Sequence, residues 1–173
     1  YTGQKSRTNR LVTSFSVNDD TYNLTYDEQR QMYVDKSASK TFYVEAGKAY
    51  ISEYNGSDEK VTIPVTLGGL EVAGIASGAF AGVDAMKTVA IPASVSVIEA
   101  TAFDDCTNLF NITFPGGNDH FIFVNGILYS ADMSELIYAA EARTFTKFIV
   151  PDEVVCIYSG AFKNQGILSS VEI

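Results

Sequence analysis

The segment Ile75-Ala-Ser-Gly-Ala-Phe80 returns 23 residues later as Ile98-Glu-Ala-Thr-Ala-Phe103, and a third time as Ile157-Tyr-Ser-Gly-Ala-Phe162. The same offset carries Ala79 to Ala102, Met86 to Leu109, Val89 to Ile112, Ile91 to Phe114 and Pro92 to Pro115. After each Phe an apolar residue follows at the sixth position (Met86, Leu109, Leu168), the ninth (Val89, Ile112, Val171) and the eleventh (Ile91, Phe114, Ile173). Chance does not hold so many registers at once. A unit this short cannot bury its own apolar side and becomes stable only when stacked on copies of itself. That constraint selects a solenoid.

The pattern within one unit says what is stacked. Val89-Ala-Ile91-Pro92, Ile112-Thr-Phe114-Pro115 and Phe148-Ile-Val150-Pro151 alternate briefly and then stop at proline. Such a run is a strand of about three to five residues, closed because proline offers the ladder no N–H. Val171-Glu-Ile173 begins the same strand, so the array is expected to continue beyond residue 173. The Ala-Phe pair falls in a tight turn or a short helical stretch, with the small Ala allowing close backbone approach and the Phe filling the coil.

The spelling Ile91-Pro92, Val95, Ile98, Ala102-Phe103, Cys106, Leu109 resembles the BspA-like, or Treponema pallidum-type, leucine-rich repeats at every one of these positions. The unit from Val150-Pro151 through Val154 and Ile157 to Ala161-Phe162 is similar but has Gln165 where Cys is expected. In the first unit Ile63-Pro64 and Ala79-Phe80 match, but five extra residues separate them, around Leu67-Gly68-Gly69-Leu70, where a turn is expected. The resemblance covers residues 46–173. It implies a β-rich α/β solenoid of about 23 residues per coil.

Two regions break the repeat. Between Pro115 and Pro151, Phe121-Ile-Phe-Val-Asn125-Gly126-Ile-Leu-Tyr129 reads as two strands about an Asn-Gly turn, followed by Glu135-Leu-Ile-Tyr138. This is a β-hairpin insertion over about 118–143 that replaces part of a coil. Residues 1–45 hold short, aromatic, partly alternating runs separated by turn residues, the pattern of a small N-terminal β cap over the first coil.

Composition narrows the chemistry. The net charge is −9, with 12 Lys and Arg against 21 Asp and Glu, which is the opposite of a nucleic-acid footprint. Residues 61–173 hold four basic and twelve acidic side chains, so the acidity belongs to the repeats. No apolar run reaches the length that spans a bilayer, so no membrane insertion is expected in this segment. One histidine, His120, leaves little for acid–base or metal chemistry. Asp19-Asp20 and Asp104-Asp105 lack the alternating spacing of a calcium loop, and the Gly-Gly pairs at 68–69 and 116–117 lack the lysine of a phosphate loop. Cys106 and Cys156 read as two buried free thiols. Asn23, Asn55 and Asn111 begin formal glycosylation sequons that carry no meaning in a bacterial protein. Tyr22, Tyr26, Tyr33 and Tyr43 suit one face of the N-terminal sheet. No residue is nominated as catalytic, as a metal ligand or as a cofactor contact, and no enzyme is expected.

What remains for recognition is surface. The outward positions of the repeated strand are Thr88 and Ala90, Asn111 and Thr113, Lys147 and Ile149, Ser170 and Glu172. Stacked, they make a patch of small, mostly uncharged groups of the kind repeat proteins use to bind macromolecules. The family resemblance implies an extracellular or cell-surface adhesion module that binds a host or bacterial surface macromolecule, protein rather than glycan. Two alternatives stand beside it: a structural spacer presenting another domain, and a carbohydrate-recognition module using exposed Tyr129 and Tyr138 on the hairpin.

Overall fold

The computed structural model describes residues 14–17, 20–27, 32–35, 40–140, 146–163 and 166–173, with side chains from residue 40 onward. Its strands are β1 (Ser14–Val17), β2 (Asp20–Asp27), β3 (Met32–Asp35), β4 (Lys40–Glu45), β5 (Lys48–Tyr54), β6 (Lys60–Thr62), β7 (Thr66–Leu67), β8 (Leu70–Ile75) and β9 (Thr88–Ala90). They continue as β10 (Val97–Ile98), β11 (Asn111–Thr113), β12 (Phe121–Val124), β13 (Ile127–Ser130), β14 (Glu135–Ala139), β15 (Lys147–Ile149), β16 (Cys156–Ile157) and β17 (Ser170–Glu172). The solenoid is there with its 23-residue spacing, but no helix occurs among the described residues, so the α/β label is corrected to all-β. The backbone gives the reason. The residue before each Ala-Phe pair is left-handed (Gly78 φ 70°, Thr101 φ 66°, Gly160 φ 79°), and so is the second residue after Phe80 and Phe103 (Gly82 φ 72°, Asp105 φ 59°). Two such breaks so close together cannot sit in a right-handed helix.

Each coil contributes two short strands. The repeated proline-ended strand forms a parallel ladder β6–β9–β11, with Val61, Val89 and Ile112 in register, and again β15–β17, with Phe148 beside Val171. A second parallel ladder joins β5, β8 and β10, pairing Ile51 with Ile75 and Ile75 with Ile98. Between them the turns bond coil to coil: Tyr54 N–H to Ala79 O at 2.8 Å, Phe80 N–H to Ala102 O at 2.9 Å, Ala139 N–H to Ala161 O at 2.8 Å. The five-residue insertion in the first unit is a tight hairpin in which β7 pairs antiparallel with β8. Gly68 (φ 57°) and Gly69 (φ 74°) supply the two positive φ angles such a turn requires.

Inside, Tyr54, Phe80, Phe103 and Tyr138 form one column, with ring centroids 5.3, 5.5 and 5.6 Å apart. Each contact adds about 0.5–1.5 kcal/mol beyond area burial. Cys106, buried, donates its thiol to Phe80 O at 3.0 Å and so ties one coil to the next, whereas Cys156 is exposed on β16 and departs from the expected burial.

The insertion holds three strands rather than two. β12 and β13 pair antiparallel about Asn125-Gly126, β13 pairs antiparallel with β14, and β14 runs parallel to β16. Asn118 starts it: its Nδ2 donates to Pro92 O and Val95 O, and its Oδ1 accepts from the His120 and Phe121 N–H groups. Asp132 holds the β13–β14 turn through Ser130 and Ser134, whose hydroxyl and backbone donors bring its carboxyl down to about 2. β13 and β14 are buried on both faces, whereas β12 buries Phe121 and leaves Ile122 exposed. Phe121, Leu128, Ile137 and Tyr138 belong to the core of the preceding coils. Ile127, Tyr129 and Leu136 belong to a second core with Ala161, Phe148 and Phe162. The insertion is therefore a layer within the stack and not a surface decoration.

At the other end β1 to β5 form an antiparallel meander whose last strand opens the parallel ladder to β8. Its register sets Tyr26 opposite Tyr33 and Tyr43 opposite Val34. Tyr43 stacks on Tyr50, with centroids 5.1 Å apart.

Two stability predictions follow from the column and its turns. Phe103→Ala removes a fully buried ring from mid-column and is expected to cost about 3–5 kcal/mol in urea unfolding. Thr101 is a β-branched residue at a position where neighbouring coils place Gly78 and Gly160. Thr101→Gly relieves left-handed strain at the expense of a hydroxyl contact to Ser77 and is expected to gain about 1 kcal/mol in the same assay.

Candidate functional site

The outward patch is built by the proline-ended ladder. On each strand the middle side chain turns in, with Val61, Val89 and Ile112 all buried. The residues on either side turn out because side chains alternate across a strand. Register sets Asn111 beside Thr88 and Thr113 beside Ala90, as the sequence pattern requires. It also adds two residues the sequence reading missed, Lys60 beside Thr88 and Thr62 beside Ala90. Their signal was present: Lys60-Val-Thr62 stands immediately before Ile63-Pro64. At the strand entrance the ladder continues through Lys87 N–H to Glu59 O at 2.8 Å and Phe110 N–H to Lys87 O at 3.1 Å. Lys87 Nζ meets Glu59 at 2.7 Å, and that hydrogen bond holds the Glu59 carboxyl below its ordinary range. Phe110 is 52% exposed and is the large aromatic side chain on this rim.

The remaining four residues form a ladder of their own. Lys147 pairs with Ser170 and Ile149 with Glu172, and Lys147 Nζ bonds Glu172 at 2.7 Å. β11 is not paired with β15, because the meander occupies one layer of the stack without supplying a strand to this ladder. The single continuous patch is thus two patches. The first is made of small, mostly uncharged groups; the second carries an internal ion pair and an exposed Ile149.

Other candidates resolve into structure. Asp104 and Asp105 receive Lys163 Nζ at 3.1 and 3.2 Å, a cation from a turn nearly sixty residues away. Asp19 lies outside the described residues, and among those described no cluster of His, Cys, Asp or Glu is arranged to hold a metal ion. His120 is exposed; its N–H bonds Asn118 and its carbonyl accepts from Ala131. Tyr129 and Tyr138 are 3% and 6% exposed, which corrects the expectation that they stand out from the hairpin. They are buried because β13 and β14 are packed on both faces. Among the described residues no helix is long and apolar enough to cross a membrane.

Residues 54–122 match the family described as BspA type leucine rich repeat region (6 copies). Among solved structures, the chain is similar to a leucine-rich repeat protein from Eubacterium ventriosum, with 17% identity over 79% of this chain and 58% of that one and a TM-score of 0.52. It is also similar to a leucine-rich repeat protein of Treponema pallidum, with 23% identity over 88% of this chain and 68% of that one and a TM-score of 0.48. A leucine rich cell surface protein from Faecalibacterium prausnitzii is similar at 16% identity over 81% of this chain and 76% of that one, with a TM-score of 0.39. At such identities the likeness concerns the fold, and the Eubacterium structure carries it. No curated protein matches the chain in sequence.

Proposed function

Since the coils over residues 54–122 are BspA-type leucine-rich repeats, we propose that this chain is a non-enzymatic recognition module, displayed at the cell surface or secreted, that takes part in adhesion by binding a partner protein. The observation that carries the reading is the ladder of Lys60, Thr62, Thr88, Ala90, Asn111 and Thr113. There the apolar side chains point inward and a run of small polar groups is presented outward in register. Such a surface is open to another protein's backbone and side chains without a large desolvation cost, and Phe110 at its rim supplies the aromatic anchor that protein interfaces favour. The patch at Lys147, Ile149, Ser170 and Glu172 is a second candidate contact in the same reading. In this reading residues 1–45 act as the cap of residues 46–173.

The partner is a host or bacterial surface macromolecule, protein rather than glycan. Burial of Tyr129 and Tyr138 removes the aromatic platform on which the carbohydrate alternative rested. A spacer that presents another domain is the remaining rival, and it needs no affinity on the ladder.

The test is binding of the purified chain to immobilised extracellular-matrix proteins and glycans, beside a variant carrying Thr88→Glu, Asn111→Glu and Thr113→Glu. Three like charges on adjacent strands are expected to weaken protein binding at least about tenfold while circular dichroism stays unchanged. A folded variant that binds as well as the parent contradicts the ladder as the site, and a folded parent that binds nothing favours the spacer.

A further inference from the structure

The chain contains two Asn-Gly pairs, Asn55-Gly56 and Asn125-Gly126, and the fold places them in opposite mechanical states. In such a pair the glycine nitrogen, unhindered by a following side chain, can attack the asparagine Cγ. The reaction needs the asparagine backbone to rotate until that nitrogen faces the carboxamide carbon. A backbone pinned on both sides cannot make the rotation; one without hydrogen bonds can.

Asn125 is pinned. It occupies the two-residue turn between β12 and β13, with Val124 paired to Ile127 across it. Asn125 (φ 48°) and Gly126 (φ 70°) carry the paired positive angles of a tight hairpin turn. Gly126 is buried, and its carbonyl accepts the Ala140 N–H at 2.9 Å, which ties the turn to the next segment of the meander.

Asn55 is not pinned. It follows β5 directly, is exposed, and begins a stretch without regular structure. Among the described residues no backbone-to-backbone hydrogen bond holds residues 55–58, and the stretch is closed only at its end, where the Tyr54 hydroxyl engages Asp58. A Cβ at Gly56 would crowd the end of the Tyr54 side chain, so glycine suits this close approach to the phenol. The fold thus favours the residue that makes the preceding asparagine reactive, and leaves that asparagine exposed without a backbone-to-backbone hydrogen bond among the described residues.

We propose that Asn55-Gly56 is a site of spontaneous succinimide formation and deamidation, while the hairpin geometry protects Asn125-Gly126. The Gly56 nitrogen gives up its proton and bonds to Cγ of Asn55. The Cγ–Nδ2 bond breaks and ammonia leaves with the proton. One water then opens the ring: attack at the side-chain carbonyl gives aspartate, and attack at the backbone carbonyl gives isoaspartate. No oxidant or metal is involved. Either product adds a negative charge three residues from Asp58, whose carboxylate accepts the Tyr54 hydroxyl at 2.6 Å. The isoaspartyl form also inserts a methylene into the main chain and pushes Gly56 off the Tyr54 phenol. Tyr54 is the first ring of the aromatic column, so the modification acts where the N-terminal sheet meets the first coil.

The experiment incubates the full chain in mildly alkaline buffer, folded and in guanidinium, and follows both Asn-Gly peptides by mass spectrometry with an isoaspartate-specific assay. In the folded chain Asn55 is expected to convert at least about tenfold faster than Asn125. In guanidinium the two are expected to convert at similar rates, which assigns the difference to the fold. An Asn55→Gln variant removes the early ammonia release. Asn125 keeping pace with Asn55 in the folded chain overturns the proposal, as does an Asn55 that reacts in guanidinium but stays intact when folded.

Discussion

Everything in this molecule depends on the need of each coil to bury its apolar side against the next. A single 23-residue unit has no second layer to pack on, so its phenylalanine, its strand and its turn carbonyls are all satisfied by neighbours. The column Tyr54–Phe80–Phe103–Tyr138 is the visible form of that constraint. Around it the coil-to-coil hydrogen bonds fix the rise, the parallel ladders fix the register, and the register fixes which side chains face out. The candidate recognition surface is a by-product of this order: Thr88, Ala90, Asn111 and Thr113 are aligned because Val89 and Ile112 are stacked.

The meander shows how the stack tolerates an irregular member. β13 and β14 divide their buried residues between two cores and β12 packs on the first, so the layer continues the stack without contributing a proline-ended strand. At its far side a new aromatic pair begins, Phe148 with Phe162 at 5.3 Å. At the turn corner Lys163 reaches past the layer to Asp104 and Asp105, on the preceding regular coil. The proline-ended ladder is cut in two at this layer, which divides the exposed face as well.

Much of this was legible in the residues. Ile91-Pro92 and its relatives located the outer strand, because proline must end a ladder, and Gly68-Gly69 located the hairpin in the first unit. The second strands Val97-Ile98 and Cys156-Ile157 were missed, since each is only two residues long and leaves no alternation to detect. The burial of Tyr129 and Tyr138 was missed for a different reason. Ile127-Leu-Tyr129 and Leu136-Ile-Tyr-Ala-Ala140 are continuous apolar runs, the signature of strands buried on both faces, and a hairpin on the surface would have alternated. Thr101 hides the left-handed position that Gly78 and Gly160 announce. The strand-face residues were readable from spacing, but their division into two patches depends on how a 36-residue gap packs, which spacing alone does not encode.

Inter-coil contacts, including those through the meander, hold the array together. Native-state hydrogen exchange measures this amide by amide. The Phe80 and Ala139 N–H groups, donated across coils to Ala102 and Ala161, are expected to exchange only through large-scale unfolding, while the N–H groups of residues 55–57 exchange freely. Rapid exchange at Phe80 and Ala139 in an otherwise folded chain would contradict this, because the coils would then be held by something other than their stacking.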